Sequence, residues 1–123
     1  MSNFSAQETS LEGVKILRCP YTSDLRGSFV KTYHAEIFSN LGISFSPAES
    51  FITTSGLGVI RGMHYQSDIH AHDKLVYCLA GKILDVIVDI RSSKSQFNRP
   101  ISITLDSKHN CAVFIPKGYA HGF

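Results

Sequence analysis

The sequence has no tryptophan, only 18% charged residues and a formal net charge of +2 over 123 residues. Lysine and arginine are scattered rather than clustered beside aromatic residues, which argues against a nucleic-acid partner. No apolar stretch approaches the roughly 20 residues that a membrane-spanning helix needs. We therefore expect a protein that binds neither nucleic acid nor a membrane.

Cysteine is also scarce, and Cys19, Cys78 and Cys111 lie far apart. An odd number of cysteines without framework spacing predicts buried, reduced thiols, which favours a reducing compartment. Cys78 and Cys111 have no basic neighbour in the sequence and are expected to be core residues. The amino terminus is polar and lacks the apolar core of a signal peptide. These features together predict a cytoplasmic location.

Short β-rich runs alternate with turn residues along the whole chain. We assign residues 1–13 to a polar amino-terminal segment and residues 14–123 to a single domain, because the length suits one core. One or two helical turns are expected over residues 35–41, with Gly42 ending them. Strands are predicted at 14–19, 28–33, 50–55, 57–65, 73–80, 82–90, 101–105 and 112–115. This pattern is typical of an all-β sandwich or barrel with one short helix.

The segments 73–80 and 82–90 flank Gly81 and predict a hairpin. Side chains alternate between the two faces of a strand. One face of the second segment is entirely apolar and the other is mixed: Leu84, Val86, Val88 and Ile90 share the first, and Ile83, Asp85, Ile87 and Asp89 share the second. A mixed face of this kind suits a strand that lines a polar cavity.

The segment RGMHYQ, residues 61–66, holds the first candidate site. Perfect alternation would put Arg61 and His64 on opposite faces of a strand, but Gly62 permits a bulge that turns both to one side. An imidazole with an ordinary pKa of about 6.5 is a natural general base at neutral pH. From spacing alone, a hydrogen-bonded strand histidine beside a surface arginine is the commoner arrangement, so both interpretations stay open here.

Two further segments carry polar residues next to strands. His70 and His72 flank one alanine, which fits either metal ligation or a solvated loop. Lys74 begins the next β-rich run, where its ammonium group either faces water or stabilises an oxyanion inside a cavity. In IPKGYAHGF, residues 115–123, Pro116 and Gly118 predict a turn, and His121 fits a metal ligand, a substrate contact or a turn histidine.

Three motifs together resemble the dTDP-4-dehydrorhamnose 3,5-epimerase family. They are RGMHYQ (61–66), KLVYCLAGKILDVIVDIRSS (74–93) and IPKGYAHGF (115–123), and DLRGSF (24–29) resembles the D-x-R-G-x-F of that family. The resemblance extends from about residue 14 to residue 123. It implies a cupin-type jelly-roll β-sandwich or barrel that works as a homodimer without metal or organic cofactor.

The resemblance also implies roles for individual residues. His64 would be the catalytic base beside the C4 ketone of a thymidine-diphosphate-linked 4-keto-6-deoxy sugar, on the way to surface-polysaccharide sugars. Lys74 and Arg61 would lie near the keto oxygen or the phosphates. The substrate pocket would also contain Gln66, His121 and Asp85, and Arg26 and Phe29 would lie near the nucleotide. A cation near the keto oxygen is needed because it stabilises the enolate that forms when the proton leaves.

The sequence departs from the family pattern at several positions. Lys31 stands where the family often has glutamate, and residues 49–53 read ESFIT in place of Q-x-N-x-S. The acid tyrosine and the aspartate that pairs with the base would follow Phe123, so we expect the 123-residue chain to lack the carboxyl-terminal part and to have little or no epimerase activity.

Three other functions fit parts of the pattern. A 3,4-ketoisomerase of the same sugars usually carries R-G-x-H-A-H, whereas this chain has RGMHYQ and a displaced HAH at 70–72. A metal-dependent cupin would use His121, but Lys74 occupies a ligand position and repels a cation. The third alternative is an inactive module that only binds a sugar nucleotide.

Overall fold

The structure, a computed structural model, describes residues 3–123. Two β-sheets pack against each other, and a separate two-stranded hairpin, one short α-helix and one turn of 3-10 helix, Asp68–His70, complete the fold of these residues. The strands are β1 Ser5–Glu8, β2 Lys15–Arg18, β3 Tyr21–Asp24, β4 Gly27–Val30, β5 Lys74–Tyr77, β6 Lys82–Asp89, β7 Pro100–Asp106, β8 Cys111–Ile115 and β9 Tyr119–Gly122. This is the cupin-type sandwich that the sequence predicts. Within residues 3–123, no helix is long and apolar enough to cross a membrane.

One sheet has the strand order β1-β2-β8-β5 and the other has the order β7-β6-β9, with antiparallel pairing throughout. Strand β1 lies within the polar segment 1–13, where no strand was predicted. Buried Phe4 and Leu11 flank it and anchor it to the core. Strand β3 is also an addition, because the stretch from Pro20 to Gly27 is rich in turn residues, whereas β4 overlaps the strand predicted at 28–33.

The helix α1, Ala35–Asn40, matches the predicted helical turns. Gly42 follows it with φ = +73°, the left-handed conformation that glycine adopts readily after a helix. Phe38 is the buried residue of α1 and packs with Phe4, Leu17 and Phe114 against the outer side of the four-stranded sheet. A second cluster, which includes Ile87, Leu105, Val113 and Ile115, joins the two sheets.

The predicted hairpin between 73–80 and 82–90 is wrong. Strand β5 pairs with β8 in one sheet, and β6 pairs with β7 and β9 in the other. The chain around Gly81 therefore forms a corner that crosses between the sheets. Local sequence does not distinguish such a corner from a hairpin, because both need a short turn between two β-rich runs.

The predicted strands at 50–55 and 57–65 are also wrong. Residues 51–66 are exposed and form no strand, and their backbone pairs with the end of the chain are confined to His64 with His121 and Arg61 with Phe123. Their β-rich composition predicts strands, but a strand also needs a neighbouring edge with which to pair. Here β9 forms backbone hydrogen bonds with this segment only near its carboxyl-terminal end.

The two faces of β6 differ in burial, as expected if its mixed face lines the interior. Asp85, Ile87 and Asp89 are fully buried in the interior. Leu84, on the apolar face, is 56% exposed. The mixed face therefore lines the space between the sheets, and the apolar face is turned outward.

Candidate active site

A buried histidine–carboxylate pair lies between the sheets. Asp85 is central in β6, and His121 is opposite Ile87 on β9, so both side chains point to the interior face. The Nδ1 atom of His121 is 3.1 Å and 3.3 Å from the two carboxylate oxygens of Asp85. A carboxylate oxygen accepts hydrogen bonds, so in this pair the N–H group at Nδ1 of His121 is the donor and Asp85 is the acceptor. The Nε2 atom of His121 is then left for another partner.

Lys74 reaches this pair from the opposite sheet. It begins β5, where it is opposite Ile115 of β8, and it is half-buried. Burial lowers the pKa of its ammonium group, and the nearby negative charge of Asp85 acts in the opposite direction. The structure therefore brings Lys74, Asp85 and His121 to one place, as expected if all three contact the same ligand.

His64 joins the site through a bulge beside β9. The backbone of His64 exchanges two hydrogen bonds with His121, of 2.8 Å and 3.1 Å, and Arg61 exchanges two with Phe123, of 2.6 Å and 2.9 Å. Three residue steps on the first segment thus face two steps on β9, which defines a β-bulge. Directly paired residues of antiparallel strands share a face. This bulge, predicted from Gly62, puts Arg61 and His64 at positions on the same face as His121.

The residues of the bulge segment differ from His121 in burial. Arg61, His64 and Gln66 are all exposed, whereas His121 is buried. The guanidinium group of Arg61 donates to Ser55 Oγ at 2.8 Å and to the backbone oxygen of Thr54. The side chain of Arg61 is therefore bonded within its own loop, and His64 is exposed next to the backbone of buried His121.

Arg26 and Phe29 lie on the β3–β4 hairpin, apart from the two packed sheets. Arg26 forms a two-pronged ion pair with Asp24, and the hydrogen bond from Arg26 lowers the pKa of the Asp24 carboxyl group. Phe29 is 52% exposed. A shallow cleft of about 300 Å³ over this hairpin is lined by both residues.

The His70–His72 pair lies in an exposed loop. The Nδ1 atom of His72 is 2.9 Å from the backbone oxygen of His70, so this ring nitrogen is engaged with the backbone. Within the part of the chain that the structure describes, no three His, Cys, Asp or Glu side chains cluster as metal ligands. The imidazole of His121 is instead hydrogen-bonded to Asp85.

A second buried carboxylate, Asp89, lies on the same face of β6 as Asp85. Asp89, at the end of β6, is fully buried and accepts two hydrogen bonds from the guanidinium group of Arg91, of 2.9 Å and 2.8 Å, and one of 2.9 Å from its backbone. Arg91 also donates to the hydroxyl of Tyr119 at 2.7 Å, and that hydroxyl donates to the backbone of Glu12. Sequence reasoning missed this network, although Asp89 shares the mixed face of Asp85 and Tyr119 directly precedes Ala120-His121.

The three cysteines are free thiols, and Cys19 is buried. Burial raises the pKa of the Cys19 thiol to about 11, and the nearby charge of Cys111 acts in the same direction. Cys78 and Cys111 pack at the border of the core and are partly accessible. A raised pKa keeps Cys19 in its unreactive thiol form at neutral pH.

This arrangement is suited to proton transfer at carbon. His64 offers an exposed imidazole beside β9, Lys74 offers a cation in a partly desolvated position, and the Asp85–His121 pair offers a ring of fixed orientation. A desolvated cation stabilises a developing oxyanion more strongly than it would in water. The two antiparallel sheets and the polar residues between them agree with a cupin-type protein.

Comparison with known proteins identifies the family. The chain matches the dTDP-4-dehydrorhamnose 3,5-epimerase family over residues 8–123. It is 36% identical to the dTDP-4-dehydrorhamnose 3,5-epimerase of Escherichia coli (strain K12) over 116 residues, which are 94% of this chain and 63% of that protein. The chain belongs to the dTDP-4-dehydrorhamnose 3,5-epimerase family. It spans less than two thirds of the length of the curated relatives that it matches.

Solved structures agree with this membership. The dTDP-4-dehydrorhamnose 3,5-epimerase of Bacillus anthracis, with TDP and PPi bound, is similar with a TM-score of 0.92 at 31% identity. The match covers 98% of this chain and 69% of that one. The dTDP-6-deoxy-D-glucose-3,5-epimerase of Legionella pneumophila, in complex with dTDP-4-keto-L-rhamnose, is similar with a TM-score of 0.85 at 34% identity, over 98% of this chain and 64% of that one.

Proposed function

We propose that this chain carries the base and the oxyanion site of an epimerase that acts at C3, C5 or both of a dTDP-4-keto-6-deoxy sugar, for surface-polysaccharide synthesis. The observation that carries the proposal is the bulge that pairs His64 with His121, whose ring bonds to Asp85, the carboxylate that acts on Lys74. The ligands of the Bacillus anthracis and Legionella pneumophila relatives support a thymidine-diphosphate-linked substrate. The three free thiols support a cytoplasmic location.

In the proposed reaction, His64 removes the proton from the carbon next to the C4 ketone. The electron pair of that C–H bond forms the enolate, whose oxygen meets the ammonium group of Lys74. Asp85 holds His121 in one orientation, so that its Nε2 atom contacts the sugar. Inversion is complete when a proton returns to the opposite face of the ring, which requires a second acid. Arg61 and Gln66 would contact the substrate, and Arg26 and Phe29 the nucleotide.

The test is deuterium incorporation into the 4-keto sugar nucleotide in deuterated water, measured by mass spectrometry and NMR. We expect exchange at a carbon next to the ketone, because removal and return on the same face needs only the base. Movement of the carbonyl to C3 would instead indicate a ketoisomerase. Binding of thymidine diphosphate with no exchange would indicate a binding module.

Lys74→Met is expected to slow the exchange by about 10²- to 10³-fold, the effect of removing one oxyanion donor. The same change should raise the stability at neutral pH, because burial disfavours the charged form of Lys74. This gain is full below the lowered pKa of the folded state and vanishes as the pH rises past the ordinary lysine pKa of about 10.4. Urea unfolding across this pH range measures it.

Lys82→Met provides the matched control for Lys74. Lys82 begins β6 and is exposed, with its ammonium group 3.4 Å from Asp106 on the sheet edge. We expect this variant to exchange deuterium at the wild-type rate. An unchanged exchange rate in Lys74→Met would show that Lys74 does not stabilise the enolate oxygen.

We also propose that the protein works as a homodimer. The support is a set of large apolar residues in the segment 51–69 that are at least 76% exposed: Phe51, Ile52, Leu57, Ile60 and Ile69. Exposed apolar surface of this extent is typical of protein interfaces. A second copy would also bring a β3–β4 hairpin, with Arg26 and Phe29, to a site whose own hairpin lies apart from the sheets.

Ile52→Asp is expected to shift the protein from dimer to monomer, because a charge would be buried without a partner in the interface. Sedimentation velocity over a range of concentrations measures this shift. Ser92→Asp, in an exposed loop, should leave the sedimentation coefficient unchanged. A monomeric wild-type protein at all concentrations would contradict the proposed dimer.

A further inference from the structure

Two glycines from separate motifs, Gly62 and Gly122, contact each other where the bulge meets β9. A Cβ atom at Gly122 would lie 2.8 Å from the backbone oxygen of Arg61 and 3.1 Å from the Sδ atom of Met63. A Cβ atom at Gly62 would lie 2.6 Å from the Cα atom of Gly122 and 3.1 Å from the backbone oxygen of His121. Contacts this short require something to move, and most of these neighbours are backbone atoms.

The two glycines are needed for different reasons. Gly62 has φ = +134°, a conformation that residues with a side chain rarely adopt, so glycine is required there by the backbone itself. Gly122 is the last residue of β9 and has no positive φ. Its lack of a side chain therefore serves only to make room for the bulge segment.

We infer that Gly122 is a positioning residue for His64, and this inference rests on the proposed role of His64 as the base. The open space at Gly122 lets the bulge approach β9 closely enough for the backbone of His64 to bond to His121. The imidazole of His64 is thereby held on the face of the Asp85–His121 pair. A side chain at position 122 pushes the bulge outward and moves the base away from the sugar.

The position of His64 depends strongly on this contact because little else holds its segment. Residues 51–66 are exposed, and the backbone bonds at Arg61 and His64 are their attachment to β9. Reacting atoms must lie about 3–3.5 Å apart, and a displacement of about 1 Å can cost about 10²-fold in rate. A small outward shift therefore has a large effect on proton abstraction and a small effect on the packed core.

Gly122→Ala tests this inference by amide hydrogen exchange, read by NMR residue by residue. We expect the amides of Arg61 and His64, which donate to Phe123 and His121, to lose at least about tenfold of their protection. The amide of Cys19, which donates to Asn110 in the other sheet, should keep its protection. Deuterium incorporation into the sugar nucleotide should fall about 10²-fold, with thymidine diphosphate binding retained.

Gly56→Ala is the matched control in the same exposed stretch. Its Cβ atom would meet only the side chain of Val59, at 4.0 Å, and its φ is not positive. This variant should leave both the amide protection and the deuterium incorporation unchanged. The double variant Gly122→Ala with Met63→Ala relieves the contact with Sδ, so it should recover part of the lost protection, and it serves as the test if Gly122→Ala alone prevents folding.

The outcomes separate the inference from the proposed function. Unchanged protection of the His64 amide in Gly122→Ala overturns the positioning role. Lost protection with unchanged incorporation overturns the link between the bulge and catalysis. If His64→Asn incorporates deuterium as fast as the wild type, the proposed function is overturned. The amide exchange of Gly122→Ala would still measure the effect of Gly122 on the bulge.

Discussion

Replacement of His64 by asparagine is expected to lower deuterium incorporation into the 4-keto sugar nucleotide by about 10²- to 10⁴-fold, the usual contribution of a positioned base. Asparagine keeps the backbone bonds of His64 to His121 and the approximate size of the side chain, but it does not accept a proton at neutral pH. The free energy of unfolding should hardly change, because the imidazole is exposed and buries little surface.

His109→Asn is the matched control, because His109 is an exposed histidine in the turn before β8. It should incorporate deuterium at the wild-type rate. Mass spectrometry of the sugar after timed incubation gives both rates in one assay. Equal rates in the wild type and in His64→Asn would contradict the assignment of the base.

Replacement of Arg91 by alanine is expected to destabilise the fold by about 3 kcal/mol, because breaking a buried ion pair leaves one charge uncompensated. Asp89 is fully buried, and the side chain of Arg91 supplies two of the three hydrogen bonds that its carboxylate accepts from this residue. The variant also loses the hydrogen bond from Arg91 to Tyr119 and the stacking of its guanidinium group, 4.7 Å from the centre of that ring. Urea unfolding monitored by fluorescence or circular dichroism measures the loss.

The chain contains its own control for this effect. Arg26 bonds Asp24 through the same two nitrogen atoms and at the same sequence spacing, but on an exposed hairpin. Arg26→Ala should therefore change the stability little, since exposed ion pairs contribute little. If both arginine variants lose the same stability, burial is not the cause.

The pH dependence gives a second measure of the Asp89–Arg91 pair. Hydrogen bonding from Arg91 lowers the pKa of Asp89 below its ordinary value of about 3.9. A lowered pKa in the folded state contributes stability that is present above about pH 4 and is lost as the pH falls through the lowered value. In Arg91→Ala this acid-dependent part of the unfolding free energy should shrink, because the backbone bond at position 91 and the charge of Lys94 are the lowering effects that remain.

The sequence predicts those elements well whose local pattern agrees with their surroundings. Helix α1 ends where Gly42 adopts the left-handed conformation, and β6 alternates as its residue types require. The bulge at Gly62 was also predictable, because a glycine between Arg61 and His64 relaxes strict alternation. In these cases the local preference and the tertiary contacts select the same conformation.

The sequence-based predictions are wrong where contacts with distant parts of the chain determine the conformation. Residues 50–65 have β-rich composition, but strand formation depends on an available edge, and β9 bonds to them only at Arg61 and His64. Strand β1 is polar and pairs because Phe4 and Leu11, on either side of it, are buried. The contact between Gly62 and Gly122 could not be predicted, because the sequence shows only that each glycine is near a histidine.

The corner at Gly81 has a consequence for folding. It joins β5 to β6, so Lys74 and Asp85 approach each other from opposite sheets along a single short piece of chain. Closing a short loop loses little chain entropy, and such contacts form faster than pairings between distant segments. The fold therefore brings the ammonium group of Lys74 near the carboxylate of Asp85 with little loss of chain entropy.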